Sequence, residues 1–327
     1  MTANAFSPRL DLRALVRRAW AVDRPLTLTV GIMAVTLGAT LVGLVLDPRA
    51  ITGAPAWLKP AKFSISIAVY SATLLWLLSL VRGRRRLVRA IGGLTAGALV
   101  IEQVIIVAAA ALGTTSHFNI STAAHAAAWS TMGAAIALTF ALALILAVVL
   151  LVQRLPSPAL AWGLRLGLMT ALAGMAVAFL MTTPTPEQLA AAEGGRGLPV
   201  VGAHSVGVAD GGPGLPLVGW STVGGDLRAA HFVGLHGLQV LPLLGWLLAA
   251  RGPRWLGSRH RVALVVAAGA GYLGLIALLT WQALRGQSLV APDGLTLGAL
   301  AALVGAFAIA TGATLAHGRR GGPTLRS

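Results

Sequence analysis

Hydrophobic residues fall into eight long runs, separated by polar segments in which arginine and proline recur. The runs are Pro25–Leu46, Phe63–Val81, Leu87–Leu112, Ala123–Val152, Ala159–Met181, Ala229–Ala250, Val262–Leu284 and Leu295–Ala316. At about 1.5 Å per residue, each is long enough for the roughly 30 Å hydrocarbon core of a bilayer. The pattern predicts an all-α bundle of eight transmembrane helices. Ahead of it, Leu12, Leu15, Val16 and Trp20 recur at helical spacing opposite Arg13, Arg17 and Arg18. Residues 1–24 therefore read as a tail carrying a short amphipathic helix on the membrane surface. Its arginines and lack of an apolar core exclude a cleavable signal peptide. The transmembrane domain is then 25–316, followed by a tail at 317–327. One connection is long, 182–228, rich in Gly and Pro. Its middle, Gly194–Gly214, reads as flexible, with His204 an ordinary exposed histidine.

Composition agrees with the pattern. The chain has 327 residues, 57% hydrophobic and 10% charged, with a mean hydropathy of +0.82. Soluble domains carry about 25% charged residues, so the chain reads as a multi-pass membrane protein. A net charge of +16 would suit a nucleic-acid partner, but the arginines lie in short clusters between apolar runs, which excludes that class. They follow the positive-inside rule instead. Nineteen of the 25 basic residues fall on one side of an eight-span topology and six on the other. Both termini are thus expected in the cytoplasm of a bacterium, with the bilayer of its inner membrane as partner. Without cysteine there is no disulfide, thiolate metal site or thiol catalysis.

Candidate chemistry comes from polar residues within or beside the spans. Glu102 is the only carboxylate inside an apolar run, and Gln103 follows it. Counted from the inner end, Glu102 lies roughly 22 Å deep, in the outer half. His117 and Asn119 lie in the next turn, and His125 opens the fourth run. His231, His236 and Gln239 descend from the outer end of the sixth. His236 and Gln239 share a helical face at about 60°, whereas His231 and His236 are about 140° apart. Lys59 and Lys62, the only lysines, lie with Arg228 at the outer rim; they read as interfacial lysines or as anion ligands. Polar groups at membrane depth are costly and face a cavity, a cofactor or one another. Glu102 is therefore expected beside His231 or His236, with the third and sixth helices as neighbours.

Three uses are open, besides a purely structural network. Haem b would take histidine ligands from His125, His117, His231 and His236, with Gln239 nearby and Lys59, Lys62 and Arg228 on its propionates. A divalent metal would take Glu102, His117, His231 and His236. A proton-coupled carrier of a small solute would need only the buried carboxylate, relayed through His and Gln. Signalling or scaffolding without chemistry is a further class. The last two runs contain no Asp, Glu, Lys, Arg or His and read as scaffold.

AKFSISIAVYSATLLWLL in the second run and AAHFVGLHGLQVLPLLGWLL in the sixth share a Phe near the start and a late Trp. This faint echo suggests a four-plus-four parallel duplication. At PAWLKPAKFSIS, SHFNIST and DLRAAHFVGLHGLQVLP the chain resembles a group of bacterial polytopic membrane proteins of high arginine content. That resemblance implies the architecture and no particular activity. The span count and histidines are similar to those of haem A synthases, but the Glu-x-x-His-Arg pattern of that family is absent.

Overall fold

The computed structural model describes residues 11–155 and 157–320; the ends of both predicted tails, 1–10 and 321–327, lie outside the described residues. Eight of its helices are long and apolar enough to cross a membrane, the architecture of an integral membrane protein. A surface helix α1 (Leu12–Val22) precedes them, with hydrophobic and arginine faces as the spacing predicts. Asp11 caps it, accepting from the backbone N–H groups of Arg13 and Ala14.

The first four membrane-length helices are α2 (Arg24–Leu46), α3 (Leu58–Leu80), α4 (Arg85–Ala111) and α5 (Ala123–Val152). A two-residue hairpin, β1 (Ala50–Ile51) with β2 (Ala54–Pro55), joins α2 to α3. The last four are α6 (Pro158–Met181), α8 (Leu227–Arg251), α9 (Ser258–Leu284) and α10 (Gly294–Arg320). Between α6 and α8 lie the short helix α7 (Pro186–Glu193) and strands β3 (Ser205–Val206) and β4 (Gly225–Asp226). The ends are set locally: Asp23, Thr122, Ser157 and Asp226 each cap the following helix. Pro60 does not delay α3, because a first-turn proline sacrifices no helical hydrogen bond. Lys59 and Lys62 consequently stand on α3 itself rather than in the preceding loop. Helix α8 runs on through Pro242 without a break.

The two sets of four pack alike. In the first, α2 contacts α3 and α4, α3 contacts α4, and α4 contacts α5. In the second, α6 contacts α8 and α9, α8 contacts α9, and α9 contacts α10. First, second and third helices form a triangle in both, with the fourth against the third, as the faint sequence echo suggests. The tightest pair, α6 with α8, is made by glycine. A Cβ on Gly234 would lie 2.4 Å from the Gly174 Cα, and one on Gly163 would lie 2.5 Å from the Leu241 carbonyl oxygen. In lipid no hydrophobic drive separates helix from tail, so such close backbone approach supplies the dispersion that holds helices together. The main core joins the halves through Leu74, Leu77, Leu146, Leu164, Leu168 and Leu238.

Residues 182–226 form a folded lid, not the flexible loop expected. Thr185 and Gln188 make a reciprocal capping box at α7, and Gln188 also holds the Gly202 backbone through both of its amide atoms. Strand β3 pairs with β4. The Ile120 and Val201 N–H groups donate to the Pro199 and Phe118 carbonyls, binding the lid to the α4–α5 turn. At Gly211 the lid reaches the β1–β2 hairpin: a Cβ on Gly53 would lie 2.5 Å from its carbonyl oxygen. The lid thus bridges both halves.

Candidate functional site

Under the lid, ionisable groups from α3, α4, the α4–α5 turn and the lid meet. Glu102 is 2% exposed and stands about 13 Å below the end of α4. Its partner is His117, which the turn 113–122 folds down: Nε2 lies 3.6 Å from the Glu102 Oε1. On the other side of the ring, Nδ1 is 3.1 Å from the Lys59 Nζ and 3.0 Å from the Ser116 Oγ. An ammonium has only donors, so Nδ1 accepts and Nε2 carries the hydrogen that faces Glu102. At 3.6 Å that contact is too long for a hydrogen bond. The second carboxylate oxygen, Oε2, is buried without any partner. Lys59, His117 and Glu102 therefore form a row in which the last link is open.

Aromatic rings wall the row. The His117 ring stands 5.7 Å from Phe63, 5.5 Å from Trp129 and 6.5 Å from His204, centroid to centroid. His204 is not the exposed residue expected. It packs on Phe118 at 4.8 Å and its Nδ1 donates to Asp210 at 2.7 Å. Asp210 also accepts from the backbone N–H groups of His204 and Ser205. Burial raises its carboxyl, but those hydrogen bonds outweigh it and hold the group well below the usual carboxylate range. Burial pushes His117 well below the ordinary histidine value, helped by the positive charge of Lys59. His204 is lowered by burial despite Asp210. Both rings are thus neutral at pH 7. One signal for this part of the site was legible: Asp210 is the only charged residue between Arg196 and Asp226.

The other expected residues are dispersed. Gln103 donates to the Pro60 carbonyl and the Ser64 hydroxyl, tying α4 to α3. His125 pairs with Ser121 at 3.0 Å, at the start of α5. His231 does not meet Glu102: its Nδ1 lies 2.8 Å from the Gly174 carbonyl oxygen, where it locks α8 to α6. His236 is exposed on α8, while Gln239 donates to Thr73 on α3 at 3.0 Å. Arg228 pairs with Asp226 at 2.6 Å. Helix α4 packs against α2, α3 and α5 rather than along α8. The α4–α5 turn doubles back at Phe118, whose φ is +64°, so the turn supplies the histidine that α8 was expected to give.

Glu102, His117, His231 and His236 therefore do not form one metal centre. Among the described residues no three His, Asp or Glu side chains come together to hold an ion. The histidines offered as haem ligands are engaged separately: His117 with Lys59 and Ser116, His125 with Ser121 and His231 with the Gly174 carbonyl. A small cavity between α3, α5, α6 and α8 is lined by Tyr70 and aliphatic side chains such as Leu74, Leu146 and Leu168, without a histidine.

Fold and site together define a class, a multi-pass membrane protein with a lidded, buried ionisable row. Beyond that class, no family model, curated protein or solved structure matches the chain.

Proposed function

We propose that the protein is a proton-coupled carrier of a small solute in a bacterial inner membrane, with Glu102 as the group that takes up the proton. Both termini then lie in the cytoplasm and the lid outside. The observation that carries this reading is the open end of the row. Glu102 is buried, its Oε2 has no partner, and a neutral His117 stands 3.6 Å from its Oε1. Burying an unpaired carboxylate costs several kcal/mol unless it gains a proton or a partner. Its charge state is therefore poised to change with whatever enters beneath the lid. Lys59 and His117 supply the route, because the imidazole can pass a proton from one nitrogen to the other.

Haem or metal redox chemistry has less to stand on, since His231 and Gln239 are engaged in helix packing. The test uses purified protein in liposomes that enclose a pH-sensitive dye, with an imposed proton gradient and a panel of small solutes. A solute that elicits proton entry with wild-type protein, and none with Glu102→Gln, supports the reading. Equal entry with Glu102→Gln overturns it.

A further inference from the structure

Two cations from opposite halves of the bundle hold one turn of the lid. Lys62 on α3 donates to the Val218 carbonyl at 3.1 Å. Arg228 on α8 donates to the Gly219 carbonyl at 2.6 Å. One residue of the turn is strained: Leu217 has φ +65°, in the left-handed region that disfavours a leucine. Its side chain is 76% exposed and gains nothing from that arrangement by packing. The turn also carries its own backbone hydrogen bonds, Val218 N–H to the Pro216 carbonyl and Gly219 N–H to the Leu215 carbonyl, and the two cations add to these by taking up the outward-facing carbonyls of Val218 and Gly219.

Beneath the turn, the second helices of the two halves, α3 and α8, are joined by a polar contact and carry matching rows of side chains. Lys62, Ser66 and Thr73 on α3, and Arg228, Phe232 and Gln239 on α8, share the same spacing and each fall within about 40°. Gln239 meets Thr73 at the bottom, and its Oε1 is buried without a partner. Between floor and turn, Ser66 on α3 and His236 on α8 are exposed. In proteins built from repeats, the substrate site falls where the repeats meet.

Charge decides what such a pair of cations would take. Lys59, Lys62 and Arg228 stand within mutual electrostatic reach, with Glu102, Asp210 and Asp226 as the carboxylates around them. Arg228 is ion-paired, but among the described residues Lys59 and Lys62 have no carboxylate within 4.0 Å. Of the other groups against α4, His117 and His204 are neutral, Asp47 pairs with Arg49, His125 hydrogen-bonds Ser121, and Asp23 lies against Gly92 about 15 Å along the helix from Glu102. Three cations balance three carboxylates only while Glu102 is ionised. Once Glu102 is protonated, one positive charge is left over.

We propose that Lys62 and Arg228 form the head of a binding site for a small soluble oxyanion, a carboxylate or phosphate that presents two oxygens on one centre. The Val218 and Gly219 carbonyls stand in for those oxygens while the lid is closed. Binding displaces the turn, and protonation of Glu102 favours binding by restoring the charge balance; this coupling rests on the proton-coupled reading above. Trp220 reports the event, because it adjoins the turn and stacks on Phe232 at 6.5 Å.

The experiment uses full-length protein in nanodiscs of zwitterionic lipid. Trp220 emission, isolated by subtraction of the Trp220→Phe protein, is followed while acetate, succinate or inorganic phosphate is added, with sodium chloride matching ionic strength. A saturable change is expected with at least one of them. Lys62→Gln should weaken it about tenfold or more, the loss of one charge-assisted hydrogen bond, and Lys62→Arg should restore it. Binding should tighten on acidification in wild type and not in Glu102→Gln. No saturable response, or equal affinity in Lys62→Gln, overturns the site. A response only when phosphatidylglycerol is in the disc would put a lipid phosphate there and overturn a soluble cargo. Anion binding with the same pH dependence in Glu102→Gln would keep the site and sink the proton-coupled reading. Proton entry that Glu102→Gln abolishes, without any anion response, would do the reverse.

Discussion

His117 and His204 show how single residues set the state of the lid. Each is packed among aromatic rings, and burial lowers its proton affinity in the fold. A histidine whose folded pKa is depressed favours the folded form fully above its unfolded value, about 6.5. That stability is lost as pH falls below 6.5 toward the depressed value, because the open form then gains protons that the closed form resists. Amide exchange at 200–210 should therefore accelerate as pH is lowered from 7.5 to 5.5, after correction for intrinsic rates. His204→Gln should flatten part of that response; an unchanged profile would remove His204 from the lid's pH sensing. Asp210→Asn tests the same contact from the acceptor side. It removes a carboxylate that accepts three hydrogen bonds, and about 1–3 kcal/mol of lid stability should go with it.

At the scale of elements, the α6–α8 pair is the structural spine. Its glycines bring backbone against backbone, and the His231 ring bridges to the Gly174 carbonyl within the same seam. Gly234→Ala would place a Cβ 2.4 Å from the Gly174 Cα, against atoms that cannot rotate away. Overpacking of this kind costs about 1–3 kcal/mol, so the melting temperature in detergent should fall by several degrees. Gly133→Ala on α5 is the control, since nothing lies within 4 Å of its added Cβ. There the better helix former should be neutral or stabilising by up to about 1 kcal/mol. Equal melting of the two variants would mean that the seam is looser than its geometry. Gln103 performs a related task between α4 and α3, where it donates to the Pro60 carbonyl and the Ser64 hydroxyl.

For the whole molecule, the lid joins the halves at three places: the β1–β2 hairpin, the α4–α5 turn and the Lys62–Arg228 pair. It should therefore resist protease over 200–226, with cutting confined to the exposed Gly194–Gly197 segment. Cleavage in the 205–220 region at the same rate would mean an open lid. Orientation follows from the arginine division. Reporters fused after Ser157 and after Ser327 should read cytoplasm, and one near Gly211 the outer side. An outer signal at Ser157 would reverse every helix after α5. The shared packing of α2–α5 and α6, α8, α9 and α10 makes α3 and α8 equivalent, and it is between these two that the cations Lys62 and Arg228 meet the lid.

The existence and number of the eight membrane-length helices were legible in the residues, because a span is a local property: enough apolar residues in succession to cross hydrocarbon. So was the singular position of Glu102 in an otherwise uncharged span. Glu102 had to find a polar partner, but which partner was a matter of tertiary structure. The histidines of α8 were the expected choice, since they sit at a similar depth. The fold spends His231 on the glycine seam, leaves His236 exposed, and lowers His117 from the α4–α5 turn through the left-handed Phe118. The lid illustrates the same limit. Its Gly- and Pro-rich composition reads as loose because no periodicity marks it, yet Gln188, Asp210 and the β3–β4 pair order it through contacts many residues apart. Local physics set the spans; the partner of each buried polar group was decided by which backbones could approach closely enough to bring it there.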